Sequence, residues 1–438
     1  MSDLIAEPPP AHATGTQSTA RIAVASFMGT AIEFYDFYIY GTAAALVFSG
    51  AFFPELSDVA GTLAALSTFA VAFVARPLGS ALFGHFGDRV GRKSMLIASL
   101  LTMGLATFAI GLLPGYSSIG VLAPLLLVLL RFAQGLGLGG EWGGAALIAT
   151  EHAPPGKRGL FGAFPQLGPS IGYIAASGIF LALTLTMSES TFESWGWRVP
   201  FLISIVLVGV GLWVRLQIAE TPAFARVMDQ QERAKVPLFV LLRQSWLPVL
   251  LGALAMAIAY SLFYTATTFS LTYATADERG FSRPEAIGAT LVGAAFMALG
   301  TWVSARLSDR FGRRPTLIAA VVMSVLFAPA MFPLIDTGAY AGLLLAICGA
   351  LWCMGAVYGP MGAFLPELFP ATTRYSGSAL AYSLGGVIGG AAAPLLAARL
   401  AADYGAGAVG LYLMGVAVVS LLAVLALPET RDRDLVAQ

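Results

Sequence analysis

Apolar runs of roughly twenty residues follow one another along almost the whole chain, separated by short polar loops. A helix rises ~1.5 Å per residue, so each run can cross the ~30 Å hydrocarbon layer of a bilayer. The runs place helices near Ile22–Phe48, Ala60–Phe83, Ser94–Leu113, Gly120–Ile148, Leu160–Leu185 and Val199–Val214. A second set falls near Trp246–Tyr273, Glu285–Leu307, Thr316–Ile335, Tyr340–Leu365, Tyr375–Ala398 and Ala408–Leu427. The expectation is an all-α membrane protein with twelve transmembrane helices. Only 11% of residues are charged, against ~25% in soluble domains. The 49 glycines allow the close helix contacts that membrane bundles use.

The polar stretches divide the chain. Residues 1–20 have no apolar core of their own and read as a disordered tail rather than a signal peptide. Residues 21–214 and 244–428 form two six-helix halves. Residues 215–243, with Glu220, Arg226, Asp229, Glu232, Arg233 and Lys235, form a surface linker, and 429–438 a short polar tail. Lys157, Arg158, Arg306, Arg374 and the basic residues around Arg89 and Arg310 gather on one side. Basic loops stay in the cytoplasm, so both termini are expected there.

A repeat supports two related halves. Gly87-Asp88-Arg89-Val90-Gly91-Arg92-Lys93 matches Ser308-Asp309-Arg310-Phe311-Gly312-Arg313-Arg314, each between the second and third helix of its half. This arrangement suits a secondary transporter. Asp88 is expected at the start of the following helix, where free N–H groups favour an anion. Arg89, Arg92, Asp309, Arg310 and Arg313 complete a gate whose ion pairs exchange between conformations.

Charges inside apolar helices carry the functional signal. Glu33 and Asp36, three residues apart, share a face of the first helix. Arg76 lies in the second helix and Arg131 near mid-depth in the fourth, where a planar fork suits a carboxylate. Each arginine is otherwise a structural ion-pair partner. Asp36 is the expected proton carrier, tuned by Glu33 and paired with Arg131 until a substrate carboxylate competes for that arginine. Glu141, about 15 Å from Arg131 along its helix, is a further proton-path candidate. Gln134, Gln166, Tyr264 and Tyr382 are candidates for the polar lining of the substrate cavity.

Other chemistries find little support. The net charge of zero gives no reason to expect a nucleic-acid partner. His12, His85 and His152 are far apart, and Cys348 and Cys353 have neither CxxC nor zinc-ligand spacing. A membrane enzyme would concentrate such groups at one membrane face, so none is expected here.

Several motifs then converge: Glu33-Phe34-Tyr35-Asp36, Arg76-Pro77-Leu78-Gly79, Gly84-His85-Phe86-Gly87-Asp88-Arg89, Arg131-Phe132-Ala133-Gln134-Gly135 and Gly139-Gly140-Glu141-Trp142. Gly196-Trp197-Arg198-Val199-Pro200-Phe201, Glu220-Thr221-Pro222 and Arg374-Tyr375-Ser376-Gly377 complete the set. With these, the chain resembles the major facilitator superfamily and, within it, the metabolite:proton symporters of dicarboxylates, citrate, shikimate, proline and betaine. The resemblance implies the major facilitator fold, a bacterial inner-membrane location and import driven by the proton gradient without a cofactor. It also implies roles for the first-helix acids and Arg131 in coupling and binding, in a carrier that works as a monomer. Arg76 and Arg131 favour a small organic anion as substrate. The alternative is a zwitterion or polyol-like solute, although the long C-terminal coiled coil of the osmosensing proline/betaine carrier is lacking.

Overall fold

The computed structural model describes residues 19–90, 92–139, 142–151, 153–154, 156–217, 243, 245–276, 279–370 and 373–433. Every regular element among them is helical. In chain order the main helices are α1 (Thr19–Leu46), α2 (Asp58–Val90), α3 (Arg92–Leu112), α4 (Leu122–Leu138), α5 (Trp142–Glu151), α6 (Arg158–Thr186) and α7 (Val199–Gln217). They continue with α8 (Trp246–Tyr264), α9 (Arg283–Phe311), α10 (Arg313–Phe327), α11 (Tyr340–Glu367), α12 (Arg374–Gly385), α13 (Ala392–Tyr404) and α14 (Ala406–Ala426). Among the described residues nine helical stretches are long and apolar enough to cross a membrane, and 97–112 and 122–138 are shorter apolar helices. α1, with 28 residues, carries two buried carboxylates, Glu33 and Asp36. The molecule is an all-α, multi-spanning membrane protein.

Three departures from the apolar pattern matter for the site. Where a single fourth helix is expected over 120–148, α4 ends at Leu138 and α5 begins at Trp142, with 140–141 outside the described residues; Gly135, Gly137 and Gly139 at the α4 end weaken helix continuity. The seventh and eleventh runs each contain a π-helical turn, at Thr265–Phe269 and Gly386–Ala391. Such turns interrupt the regular ladder and concentrate at functional sites. The start of the short polar tail expected from residue 429 packs on the bundle, where Thr430 is fully buried. The linker core at 218–242 lies outside the described residues, as does the N-terminal tail as far as residue 18.

Glycines set how closely the helices approach. A Cβ at Gly135 or Gly139 of α4 would strike the backbone of Ala72 or Arg76 in α2, and one at Gly79 would strike that of Leu136. Gly355 and Gly359 of α11 sit in the same way on Met297 and Thr301 of α9. Gly168 and Gly172 of α6 receive Thr30, Ala31 and Tyr35 of α1. Removing the side chain lets backbones touch where lipid supplies no hydrophobic drive. These contacts fix α1, α2, α4 and α6 around the buried charges. α6 also packs extensively on α9 and α11, joining the regions before and after the linker.

Candidate functional site

Arg131 is fully buried in α4. Its guanidinium carbon lies 3.9 Å from the ring centre of Tyr40, 4.2 Å from Phe37 and 4.8 Å from Phe69. Three aromatic faces thus hold the cation, each interaction contributing up to ~2 kcal/mol where water is excluded. One nitrogen, Nη1, donates to Gln134 Oε1. Nε and Nη2 have no partner within the protein. The site therefore keeps a charge-assisted donor pair available to an anion.

The expected Asp36–Arg131 ion pair is not formed. Asp36 is fully buried and neither carboxylate oxygen has a hydrogen-bond partner. Helix geometry explains the separation. Phe37 turns toward Phe69, Phe73 and Tyr264, with centroids 5.4, 5.3 and 6.3 Å away. Asp36 is rotated by about 100° on the same helix. Gln134 spans the gap: its Nε2 donates to the Asp36 carbonyl at 2.8 Å and to Thr107 Oγ1 at 2.9 Å while its Oε1 accepts from Arg131. Gln134 is thus a tie between α1, α3 and α4 rather than an open lining group. Glu33 is buried on α1 one turn before Asp36.

Arg76 is also buried, with Nε and Nη1 unpartnered. Its guanidinium carbon lies 5.7 Å from the Phe73 centroid and 5.3 Å from that of Tyr382. Phe73 meets Tyr264 at 5.2 Å and Tyr260 at 6.1 Å, and Tyr260 meets Tyr382 at 5.4 Å. The wall opposite the arginines is therefore aromatic, as α8 and its π-turn suggest. Tyr264 and Tyr382, two sequence candidates, belong to this wall. Gln166 is committed elsewhere, accepting from Trp142 Nε1 at 2.9 Å and donating to the Tyr358 carbonyl at 3.1 Å. On α6, Ser170, Tyr173 and Ser177 are buried with unpartnered hydroxyls. Sequence reading passes over the two serines, whose signal is a polar stripe at helical spacing.

The described side chains of the repeated loop belong to its second copy. The side chains of Asp88, Arg89 and Arg92 lie outside those described, as do His85 and the whole of Glu141. In the second copy, Arg313 is buried and donates to Asp309 Oδ1 at 2.8 Å, to Ser308 Oγ at 3.2 Å and to both Glu367 oxygens at 3.2 Å. Asp309, the counterpart of Asp88 in the repeat, does not cap α10. Its oxygens accept from Gly159 N at 2.7 Å and Leu160 N at 2.8 Å, at the start of α6. The start of α10 is capped instead by Glu429, which accepts from Arg313 N and Arg314 N at 2.9 Å. Gly312, at φ 104°, makes the turn that frees those N–H groups. Arg310 stands apart, exposed and stacked on Phe311 at 5.3 Å. Thr430 Oγ1 donates to Glu367 at 2.7 Å, and Arg158 donates to the Arg433 carbonyl at 2.7 Å. At the opposite end, Arg283 pairs with Glu193 at 2.7 Å and Glu189 at 3.3 Å, again joining the two regions.

Comparison with known proteins agrees with this architecture. Residues 26–390 and 303–436 match the model of the Major Facilitator Superfamily. The chain is 49% identical over 430 residues to the inner membrane metabolite transport protein YhjE of Escherichia coli K12, covering 96% of this chain and 97% of that one. It is 37% identical over 442 residues to the shikimate transporter of the same organism, covering 98% and 99%. The E. coli K12 proline/betaine transporter is 34% identical over 435 residues, covering 95% and 84%. The partially occluded, inward-open structure of the E. coli xylose transporter XylE superposes with a TM-score of 0.76 at 18% identity, covering 95% of this chain and 99% of that one.

Proposed function

The chain belongs to the major facilitator superfamily, and from that premise we propose that it imports a small carboxylate-bearing metabolite together with a proton, by alternating access. One observation carries the reading. Two buried guanidinium groups, Arg76 and Arg131, and one buried carboxylic acid, Asp36, keep polar atoms without partners inside the protein. Such groups are expensive at membrane depth unless a ligand or a proton completes them. A substrate carboxylate suits the guanidinium donors and a proton suits Asp36. The fold then consists of twelve spanning helices in halves 21–214 and 244–428, with the linker 215–243 and both termini in the cytoplasm of an inner-membrane protein that works as a monomer.

The substrate reading shifts from an anion toward a zwitterion. The proline/betaine transporter supports it, and so does a site that offers both arginine donors and the aromatic faces of Tyr260, Tyr264 and Tyr382. Aromatic faces accept quaternary and secondary ammonium groups. The second reading, a hydroxylated acid anion, is favoured by the shikimate relative and by the free hydroxyls of Ser170, Tyr173 and Ser177. Counterflow in reconstituted vesicles, comparing betaine, proline, shikimate, a dicarboxylate and a polyol, decides between them. Exchange of betaine or proline alone supports the first reading, and exchange of shikimate alone the second. Exchange only of the polyol overturns both. Failure of a pH gradient to drive accumulation removes the proton from the proposal.

A further inference from the structure

We propose that Trp142, stacked on Tyr382, is the barrier that closes the central site toward the Arg313–Glu367 end, and that it is linked to the site through Arg76. The inference rests on the transport reading above, but its test does not depend on the substrate's identity. Trp142 and Tyr382 lie parallel, 5° apart, with centroids 3.8 Å apart. This is a face-to-face contact across the two regions of the chain, since the partners lie on either side of the linker. Two hydrogen-bonded ties surround it. Trp142 Nε1 donates to Gln166, which donates to the Tyr358 carbonyl, and the Tyr358 and Tyr382 hydroxyls meet at 2.9 Å. All four residues are buried.

Their depth is the same. Gln166 is eight residues into α6, Tyr382 eight residues into α12 and Tyr358 nine residues before the end of α11. At ~1.5 Å per residue each lies about 12 Å inside the end that carries Arg158, Glu367 and Arg374. One turn nearer that end, Gly162 and Gly362 bring the α6 and α11 backbones together so closely that a Cβ on either would strike the other. Arg131 and Tyr264 lie on the inner side of this layer.

The link to the site follows from the neighbours of Tyr382. Trp142 stacks on one face of the ring, and the Arg76 guanidinium lies 5.3 Å from the ring centre. A ligand carboxylate that draws Arg76 away removes one support of the Tyr382 ring. Tyr382 then keeps only Trp142, Tyr260 and the Tyr358 hydroxyl, and ring withdrawal opens a path between the regions. Trp142 acts through Tyr382 and is a positioning residue, not a binding one.

The test uses the full chain with Cys348→Ala, Cys353→Ala and Tyr264→Cys, labelled by a membrane-impermeant maleimide from each membrane face. From the Arg313–Glu367 face, Trp142→Ala is expected to speed labelling by at least about tenfold, the scale of one lost aromatic contact plus one hydrogen bond. From the opposite face the rate stays as it was. Unchanged labelling at the first face overturns the proposal, and so does an equal rise at both faces, which marks general loosening. If Trp142→Ala does not reach the membrane, Trp142→Phe replaces it. Loss of the indole N–H alone is then expected to raise labelling about fivefold, and no rise overturns the proposal. A labelling rise in this variant, when the unsubstituted chain exchanges none of the solutes tested, leaves the barrier standing and refutes the substrate reading alone.

Discussion

Arg131 and Arg313 are both buried arginines within helices, yet their surroundings are opposite. Arg313 has its fork filled by the chain itself, with Glu367 held in two parallel bonds and Asp309 and Ser308 on the remaining nitrogen. Arg131 is held by ring faces and a single amide oxygen, with two nitrogens left over. Aromatic faces stabilise a cation without consuming its hydrogen-bond donors. On the proposed function that difference separates a fastening from a receptor: the first is complete within the chain, whereas the second keeps donors unfilled. Arg76, between Phe73 and Tyr382, belongs with Arg131.

The largest expected effect comes from making the same substitution at both places. Arg313→Met strands the buried Glu367 carboxylate, and losing one member of a buried pair costs ~3–5 kcal/mol. Thermal unfolding in detergent should therefore shift down strongly, and adding Glu367→Leu should recover most of the loss. Arg131→Met strands no ion-pair partner. Its melting temperature should hold or rise while uptake is abolished. Equal destabilisation at the two positions would erase the distinction between fastening and receptor.

The next effects sharpen the receptor side. Asp36→Asn imitates the protonated acid, so it should still exchange substrate but no longer accumulate it against a gradient. Wild-type uptake should rise as external pH falls, because protons then load the carrier, and the Asn variant should lose that dependence. Paired counterflow and pH-driven uptake measure both. Undiminished accumulation would pass the carrier role to Glu33 or Glu141. Arg131→Lys keeps the charge but lacks the planar fork. Losing one of two charge-assisted bonds should weaken substrate binding roughly tenfold to a hundredfold, and equal binding would remove Arg131 from direct contact.

How much of this was legible depended on whether a signal was local. Apolar runs located the helices because length and hydropathy are properties of one segment. Asp36 and Arg131 stood out because a charge in an apolar run is rare and costly. Recurrence exposed the Asp309–Arg313 loop, but not its partners. Glu367 and Glu429 are distant in sequence, and only the packed bundle brings them to Arg313. The aromatic cage was hidden for a different reason. Phe37, Tyr40 and Phe69 at helical spacing look like ordinary packing, and nothing in one helix says that a guanidinium fills the gap between two. The Asp36–Arg131 pairing was a reasonable inference from opposite charges at similar depth. It failed because rotation about the helix axis places Gln134 between them. The π-turns at Thr265–Phe269 and Gly386–Ala391 share no common signal, one being rich in threonine and the other in glycine.

The smallest effect tests the fastening side through pH. Glu429 accepts from four backbone N–H groups, those of Arg313, Thr430, Arg431 and Arg314, each at 2.9 Å. Burial alone would raise its carboxyl, but those donors outweigh burial and hold it below the ordinary glutamate value. A depressed folded value means that the charged form stabilises the fold. The contribution is fully present above the unfolded value of about 4.3 and fades as pH falls through the folded one. Glu429 is exposed, so screening keeps the term within about 1 kcal/mol, the scale of one helix cap. Glu429→Gln keeps the shape and one acceptor oxygen but removes the charge. Its melting temperature should fall slightly below wild type at pH 7, and the two curves should converge as pH drops below about 4.3. A gap that stays constant into stronger acid would mean that geometry, not charge, fastens the tail. The saturated end of the molecule would then owe its hold to shape alone, and the contrast with the unsatisfied charges at mid-depth would rest on Arg313 and Glu367 without Glu429.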